Sequence, residues 1–568
     1  RTAGGAAGDS RPHAETANGK VTGIRVRVLG TTRWLLRTLR YDQNMRLCQE
    51  TGTLHTGGTE TITRLYNFSG NEIIRRHLHT HPRSKLLQVV QTMYQYDHAG
   101  RTMSVAIRLN DNPAWQRTVA KMDYGPSGEL SRKSFLRANG SVLESLQYQY
   151  NVRGWLTGIN ADHVKPVPST PHYFGQSLHY DYGFTHRQFN GNIAGVQWKG
   201  SCEPVARAYG FAYDPLDRLL VAKYSQPGSP SAPNFDLMLG NGADPAQAYD
   251  LNGNIRRLRH WGTRGVQSSQ LLDDLRYQYK GPSSGSAGNQ LLGVADMVKT
   301  KAPGAGDFTD DPGASLSDYT YDSNGNMLRD RNKSIDSIRW NVLDLPEEII
   351  VKGKGKVQYL YDASGNKLSH TVFTQVGGKT EVVRVDYLSG FVYRNDTLQY
   401  CSHGEGRVRP VTGVAGFAWD YFVRDHLGSV RMLLTDELSA TVYLATMEPS
   451  RASLEHRLFS QVDAVRGPLP SGFPVSQGVA NTAVARLNGK DPRRRVGPGL
   501  VLKVMPGDTL QIGVKAFYQQ QGGSAPAVAT PLQDMVLAVL GAFGGTGMAV
   551  AGKSGGAGCA VASQAAII

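Results

Sequence analysis

The chain has 568 residues, 40% hydrophobic and 19% charged, with 65 Gly and a Tyr count of 26 against 16 Phe. Low charge with abundant Gly and Tyr excludes coiled coils and helical bundles, and the apolar share excludes wholesale disorder, which leaves a turn-rich, all-β protein. The formal charge of +15 is carried by scattered Arg residues with no interleaved aromatics, so it is read as solubility, and no specific nucleic-acid partner is expected.

In chain order, residues 1–24 carry no motif and are read as the flexible N-terminal segment of a truncated chain. No charged-then-apolar leader follows Arg1. From residue 25 onward a phrase recurs: an aromatic, an Asp, loose positions, a Gly, then Arg, Asn or Leu. Its clearest copies are Tyr96-Asp97 with Gly100, Tyr213-Asp214, Tyr249-Asp250 with Gly253, Tyr321-Asp322 with Gly325, and Tyr361-Asp362 with Gly365. Weaker copies stand at Tyr41-Asp42, Asp123-Tyr124, Tyr150 and Tyr180-Asp181.

The physical reading is a β-hairpin. The Asp side chain caps backbone N–H groups of a tight turn and Gly takes the positive φ. Flanking residues alternate as strands do: Leu275, Tyr277 and Tyr279 against Arg276 and Gln278. A hairpin cannot bury its own apolar face, so neighbours are expected to stack into one long sheet. Tyr and Asp are also the residues of carbohydrate sites, but the need for a turn and a packing aromatic accounts for them better.

Other constellations are weighed against ordinary roles. His77, His79 and His81 alternate, and period two would aim all three at one sheet face, as metal ligands are aimed in β proteins. Pro82 follows and no carboxylate or Cys is near in sequence, so they are read as structural or surface histidines. Asp307, Asp310 and Asp311 lack calcium-loop spacing. Gly281–Gly285 and Gly552–Gly556 match a nucleophile elbow only formally, and Gly547–Ser554 matches a phosphate loop with no later acid to serve it. Four Cys (48, 202, 401 and 559) are too far apart for a disulfide framework or a zinc pattern and leave the redox compartment open. No catalytic residue, metal or cofactor is expected.

Residues 438–499, rich in Gly, Pro, Ser and Arg, are read as a linker or variable region. Residues 500–520 are read as a β-hairpin of a small β-sandwich, with Pro506-Gly507 at its turn. The segment 521–568 is Gly/Ala-rich and apolar, expected to be a truncated start of a further domain, and 535–552 is the only stretch through which a membrane association is expected.

The repeated phrases resemble the YD repeats of RHS (rearrangement hotspot) proteins. Tyr421 with Asp425, His426, Leu427, Gly428, Ser429 and Arg431 is similar to the RHS repeat-associated core signature YxxxDHLGSVR. Stretches 68–83, 174–183, 188–198, 338–346 and 386–400 look like RHS proteins of the Bacteroidota type. The resemblance spans roughly residues 25–435, and the shell domain is placed at 25–437. It implies an all-β fold, a spiral of β-hairpins forming a hollow shell, with a small C-terminal β element and a Gly-rich tail. It also implies a non-catalytic, secreted or cell-surface scaffold that encloses or displays a C-terminal cargo polypeptide, as in toxin delivery. The alternative is an adhesin that binds a cell-surface ligand, a glycan or a protein, through the repeat surface. The segment after Arg431 departs from the toxin type: its only later Asp-Pro is Asp491-Pro492, outside any DPxG self-cleavage motif.

Overall fold

The computed structural model describes residues 19–168, 172–201, 205–227, 234–263, 269–281, 288–299, 307–310, 317–376, 378–411, 416–436, 443–470, 482–488, 491, 494, 496–502 and 565–567. The readings for 1–18, 503–564, Pro506-Gly507, the span 535–552 and the motifs within 547–556 lie outside the described residues, as do residues 282–287 of the Gly281–Gly285 match.

The chain divides into two units, Arg1–Lys199 with Val205–Glu437, and Gly200–Pro204 with Leu438–Ile568. The larger unit is all-β. A 19-stranded sheet runs from Gly23–Arg27 to Leu291–Asp296, and a 12-stranded sheet from Tyr319–Tyr321 to Val430–Thr435. Each strand pairs antiparallel with its neighbours in sequence, for example Thr59–Tyr66 with Glu72–Thr80 and that strand with Val89–Tyr96. Local pairing follows from the short turns, because strands joined by a few residues reach each other at the lowest cost in chain entropy. Exposure alternates residue by residue along Trp34–Tyr41, as the pleat requires.

Among the described residues the two sheets meet where the chain passes from one to the other, with Tyr319 on Leu275 and Val294, and in two more distant places. Near the start of the chain Val28 bridges to Asp362, with Leu29 N donating to Tyr361 O and Ala363 N to Arg27 O. Farther on, Leu54, Ile107, Leu109, Val119, Phe135, Leu146 and Phe174 of the first sheet region pack on Leu388, Phe391, Tyr393, Trp419, Tyr421 and Val423 of the second. Outside this double layer the apolar contacts fall into small clusters, one at Leu220, Leu239, Ala248 and Tyr249, another at Leu275, Val294 and Tyr319.

The smaller unit differs from the linker expected at 438–499. Its described residues include helices Ala452–Leu458 and Val462–Val465 and a core of Met447, Val462, Val465 and Ala483. Glu455 accepts from both Thr446 N and Oγ1, and Glu448 from Thr482, so polar groups as well as apolar ones hold it together. Composition pointed to a loop because Gly and Pro are frequent there, while four spaced apolar residues suffice for the small core. Gly499–Leu502, within the expected hairpin, pairs with Phe459–Ser460 and with Ala565–Ile567.

Candidate functional site

The repeated phrase builds one local device. At Tyr96-Asp97 the turn closes through Gly100 N to Asp97 O and Asp97 N to Arg101 O. Asp97 Oδ1 accepts from Ala99 N and Arg101 N, both at 2.9 Å, and Oδ2 accepts from Arg101 Nε at 2.7 Å. Gly100 takes φ +79°, and the register shifts between Gln95 and Tyr96, so the turn ends in a glycine bulge. The same carboxylate pattern recurs at Asp214 with Arg218, Asp250 with Asn254, Asp322 with Asn326 and Asp362 with Asn366. Gly253, Gly325 and Gly365 hold the positive φ. At Asp214 that place is taken by Asp217 at +61°, and at Asp42 by Met45 at +59°.

At four of the five clear copies the aromatic before the Asp ties its hairpin to the preceding one. The hydroxyl of Tyr96 donates to Glu72 O at 2.7 Å, Tyr213 to Ile193 O at 2.9 Å, Tyr249 to Leu219 O at 2.6 Å and Tyr321 to Leu291 O at 2.8 Å. Tyr361 is buried at the contact with Leu29, its carbonyl accepting from that backbone. Where the fifth turn residue is Arg, its guanidinium also lies over the next aromatic: Arg46 over Tyr66, Arg101 over Tyr124 and Arg218 over Tyr249, at 4.8, 4.6 and 4.3 Å. The Arg101 and Arg218 units therefore join their neighbours through a tyrosine hydroxyl on one side and a cation on the other.

This geometry decides the chemistry of the Tyr-Asp pairs. Burial pulls the carboxyls of Asp42, Asp214, Asp250 and Asp322 upward, but donated N–H groups and the Arg or Asn partner outweigh it and hold them below the ordinary carboxylate range. Asp97 is held low chiefly by the Arg101 backbone N–H. The tyrosine hydroxyls are raised by burial at Tyr96, Tyr213, Tyr249 and Tyr321. Carboxylates that stay ionised with their lone pairs occupied, beside neutral phenols bonded to carbonyls, are braces rather than acid–base groups.

The core signature is one more copy of this turn. Gly428 N donates to Asp425 O, Asp425 Oδ1 accepts from Leu427 N and Ser429 N, and Oδ2 accepts from Arg431 Nε at 2.6 Å. Gly428 has φ +81°. Its Arg stands six residues after the Asp instead of four, on the following strand. Leu427 projects into solvent, and His426 reaches Gln176 of the first sheet at 3.3 Å. Tyr421 lies four residues before the Asp and is fully buried. Its hydroxyl donates to Leu136 O at 2.7 Å, 285 residues away, whereas the turn tyrosines reach back no more than 30 residues.

The weaker copies divide. Tyr41 donates to Val21 O, and Asp42 caps its turn. The frame at Asp123-Tyr124 is corrected by one residue: Tyr124 is the bracing aromatic, bonded to Thr102 O, and Gly125 stands where Asp otherwise does. Asn151 takes the Asp place after Tyr150. Tyr180 bonds to Leu156 O, but Asp181 opens a longer excursion in which Gln188 N returns to Tyr180 O. Two copies were overlooked, Tyr66-Asn67 and Trp340-Asn341, where Asn caps and Trp340 Nε1 replaces the hydroxyl by donating to Met327 O. The signal available was Asn, whose side-chain oxygen caps as Asp does.

Because consecutive strands are antiparallel, the repeat turns at 42–45, 67–70, 97–100, 125–128, 151–154 and 214–217 all lie at one end of the first sheet. Several of their tips are apolar and exposed, among them Phe68, Val152 and Leu216, as is Leu251 in the turn at 250–253.

The three histidines point to one face, as their spacing requires, but that face is packed. His79 is stacked on Phe391 at 4.2 Å and His81 on Tyr393 at 4.2 Å, while His77 meets Phe391 edge-on. The carboxylate missing from the local sequence is supplied across the sheet, with Glu60 at 3.2 Å from His77. Among the described residues, the one group of acids close enough for a metal is Asp273, Asp296 and Asp307, their oxygens within 4.8 Å of one another. Asp307 comes from the segment read as lacking calcium-loop spacing, and its neighbours come from two strands. Phe308 N donates to Asp273, and Asp274 N and Val298 N to Asp296, so the Asp273 and Asp296 carboxylates already serve the backbone. No helix among the described residues is long and apolar enough to cross a membrane.

No family model matches the chain and no curated protein is similar to it. Among solved structures, TcdB2-TccC3 without its hypervariable C-terminal region aligns over 72% of this chain at 14% identity and a TM-score of 0.21, and TcdB2-TccC3-Cdc42 aligns with the same values. A porin-like protein from Bacteroides uniformis ATCC 8492 aligns over 38% of this chain and 92% of its own, at 10% identity and a TM-score of 0.18. The chain spans about a quarter, 26%, of the length of the TcdB2-TccC3 chains it matches.

Proposed function

We propose that this chain is a non-catalytic RHS/YD-repeat scaffold, secreted or at a cell surface, whose repeats form a container wall that encloses or displays a C-terminal polypeptide. The observation that carries the reading is the turn device itself. At the repeats the tyrosine hydroxyls and aspartate carboxylates are used to tie hairpin to hairpin, and the DHLGSVR signature is bonded in the same way. Residues committed to extending a sheet make a wall, and two meanders of 19 and 12 strands are far more sheet than one ligand pocket requires.

The test is protease protection. The full reading frame, including any polypeptide encoded downstream, is expressed and digested under native conditions. Survival of the downstream polypeptide together with the repeats, and its rapid loss when expressed alone, is expected. Equal digestion rates in the two cases overturn enclosure. The exposed apolar tips Phe68, Val152, Leu216, Leu251, Val342 and Leu427 favour a second reading, an adhesin that binds a protein partner along the turn end of the sheets. Binding to cell surfaces by the repeat unit, lost when these tips are changed to Ser, supports that reading.

A further inference from the structure

The double layer contains a line of histidines with few polar partners. His79 has no exposed surface, and its Nε2 lies 3.1 Å from the Tyr393 hydroxyl, while Nδ1 meets no partner among the described residues. Around it stand His77 on the same strand, His81 just past its end, Glu60 on the neighbouring strand, and Phe391 and Tyr393 on the facing strand, with Cys401 paired to Phe391 behind them. The charged groups at the seam are already engaged. Glu60 is held by Arg37 and His77, and Asp386 by His55 at 2.8 Å and Arg384 at 2.7 Å. Asp396 lies toward Arg83 and His81. A second imidazole, the half-buried His403, packs on Trp419 and Tyr421 in the same double layer, and its Nε2 meets no partner among the described residues.

A proton arriving at His79 would therefore place a charge between two aromatic rings with no carboxylate free to receive it. Burial pushes the His79 imidazole from its ordinary 6.5 down to about 4, with the neighbouring His77 and His81 adding to the effect, and burial pushes His403 down to about 4. The sign follows. A group neutral when packed and basic when exposed favours packing at high pH, and that contribution is lost as pH falls from the ordinary value toward the packed one.

We propose that the histidine seam between Glu72–Thr80 and Phe391–Arg394 is an acid-sensitive latch, which holds the two sheets face to face at neutral pH and releases them under mild acid. The hairpin turns stay closed in that range, because their aspartates remain ionised until the pH is lower still. The latch is independent of whether the protein encloses a polypeptide or binds a surface.

Hydroxyl-radical footprinting of the full chain between pH 7.5 and 4 reads the seam directly. Labelling of Phe391 and Tyr393 is expected to rise relative to Tyr277 with a midpoint between pH 6.5 and 4. His79 alone shifts the packed-to-parted ratio by roughly a hundredfold over that range. His79→Gln and His403→Gln are each expected to move the midpoint downward. Labelling that stays flat to pH 4, or a midpoint unmoved in both variants, overturns the proposal. Should both variants fail to fold, imidazole C2 hydrogen exchange in the unaltered protein decides: half-titration of His79 below pH 5 supports the latch, and half-titration near 6.5 overturns it.

Discussion

The double layer, built from strands before residue 180 and after residue 385, and the strands between 195 and 376 use the same turn device but are stabilised differently. The largest side chains below 2% exposure all lie between His79 and Leu178 or between Leu388 and Tyr421, among them Phe135, Phe391, Tyr393 and Tyr421. Among the described residues none lies between Gly195 and Val376. There the strands are mostly half-buried, as in the Gly355–Tyr361 strand, and the apolar clusters hold four residues or fewer at their centres. The first region is a sheet against a sheet. The second is secured mainly along its turns, hairpin to hairpin, so its stability is a sum of neighbour terms.

The largest expected contrast is in the cores. Phe391→Ala should cost about 3–5 kcal/mol, because its fully enclosed ring leaves a cavity that two sheets cannot close, while Leu220→Ala should cost about 2 kcal/mol, at the low end for such changes. Hydrogen exchange of the affected strands measures both, and equal losses would erase the distinction. Next, Asp214→Ala should cost about 1–3 kcal/mol, since two backbone N–H groups lose their carboxylate acceptor and Arg218 loses its partner together. Its effect should stay within the hairpins around 207–225, whereas Phe391→Ala should reach both sheets.

Acid separates the regions as well. The turn carboxylates have native values below their ordinary ones, so their stabilisation is complete above the unfolded value near 3.8 and is lost as pH falls below it. Protection of the 207–225 hairpins is therefore expected to hold at pH 5 and fail only in stronger acid, and loss at pH 5 would deny the turns their role. Smaller still, Tyr249→Phe should cost about 0.5–1.5 kcal/mol for one hydrogen bond to Leu219 O. Last, a double-mutant cycle of Arg218→Met with Tyr249→Leu should return about 0.5–1 kcal/mol for the cation over the ring.

The exposed tips bear on the same comparison from outside. Val152, Leu216 and Leu251 sit at turn positions where polar residues ordinarily serve, and all three project fully or nearly so. Their repeats contribute a brace inward and an apolar point outward from one short phrase.

The sequence by itself determined the repeat, its strands and the residues of its turns. Asp97, Gly100 and Tyr96 act within five residues of one another or on the preceding hairpin, and such short-range chemistry is written in the order of the letters. The same locality explains the misplaced frame at Tyr124-Gly125, where a neighbouring Asp123 imitated the phrase. What only the tertiary structure decided is which strands would be covered. His79 meets Tyr393 across 314 residues and Tyr421 meets Leu136 across 285. An alternating strand announces that it has an apolar face but not what will lie against it. That choice belongs to the curvature and twist accumulated over two long sheets, and it turned three histidines that could have been ligands or surface residues into the filling of a core.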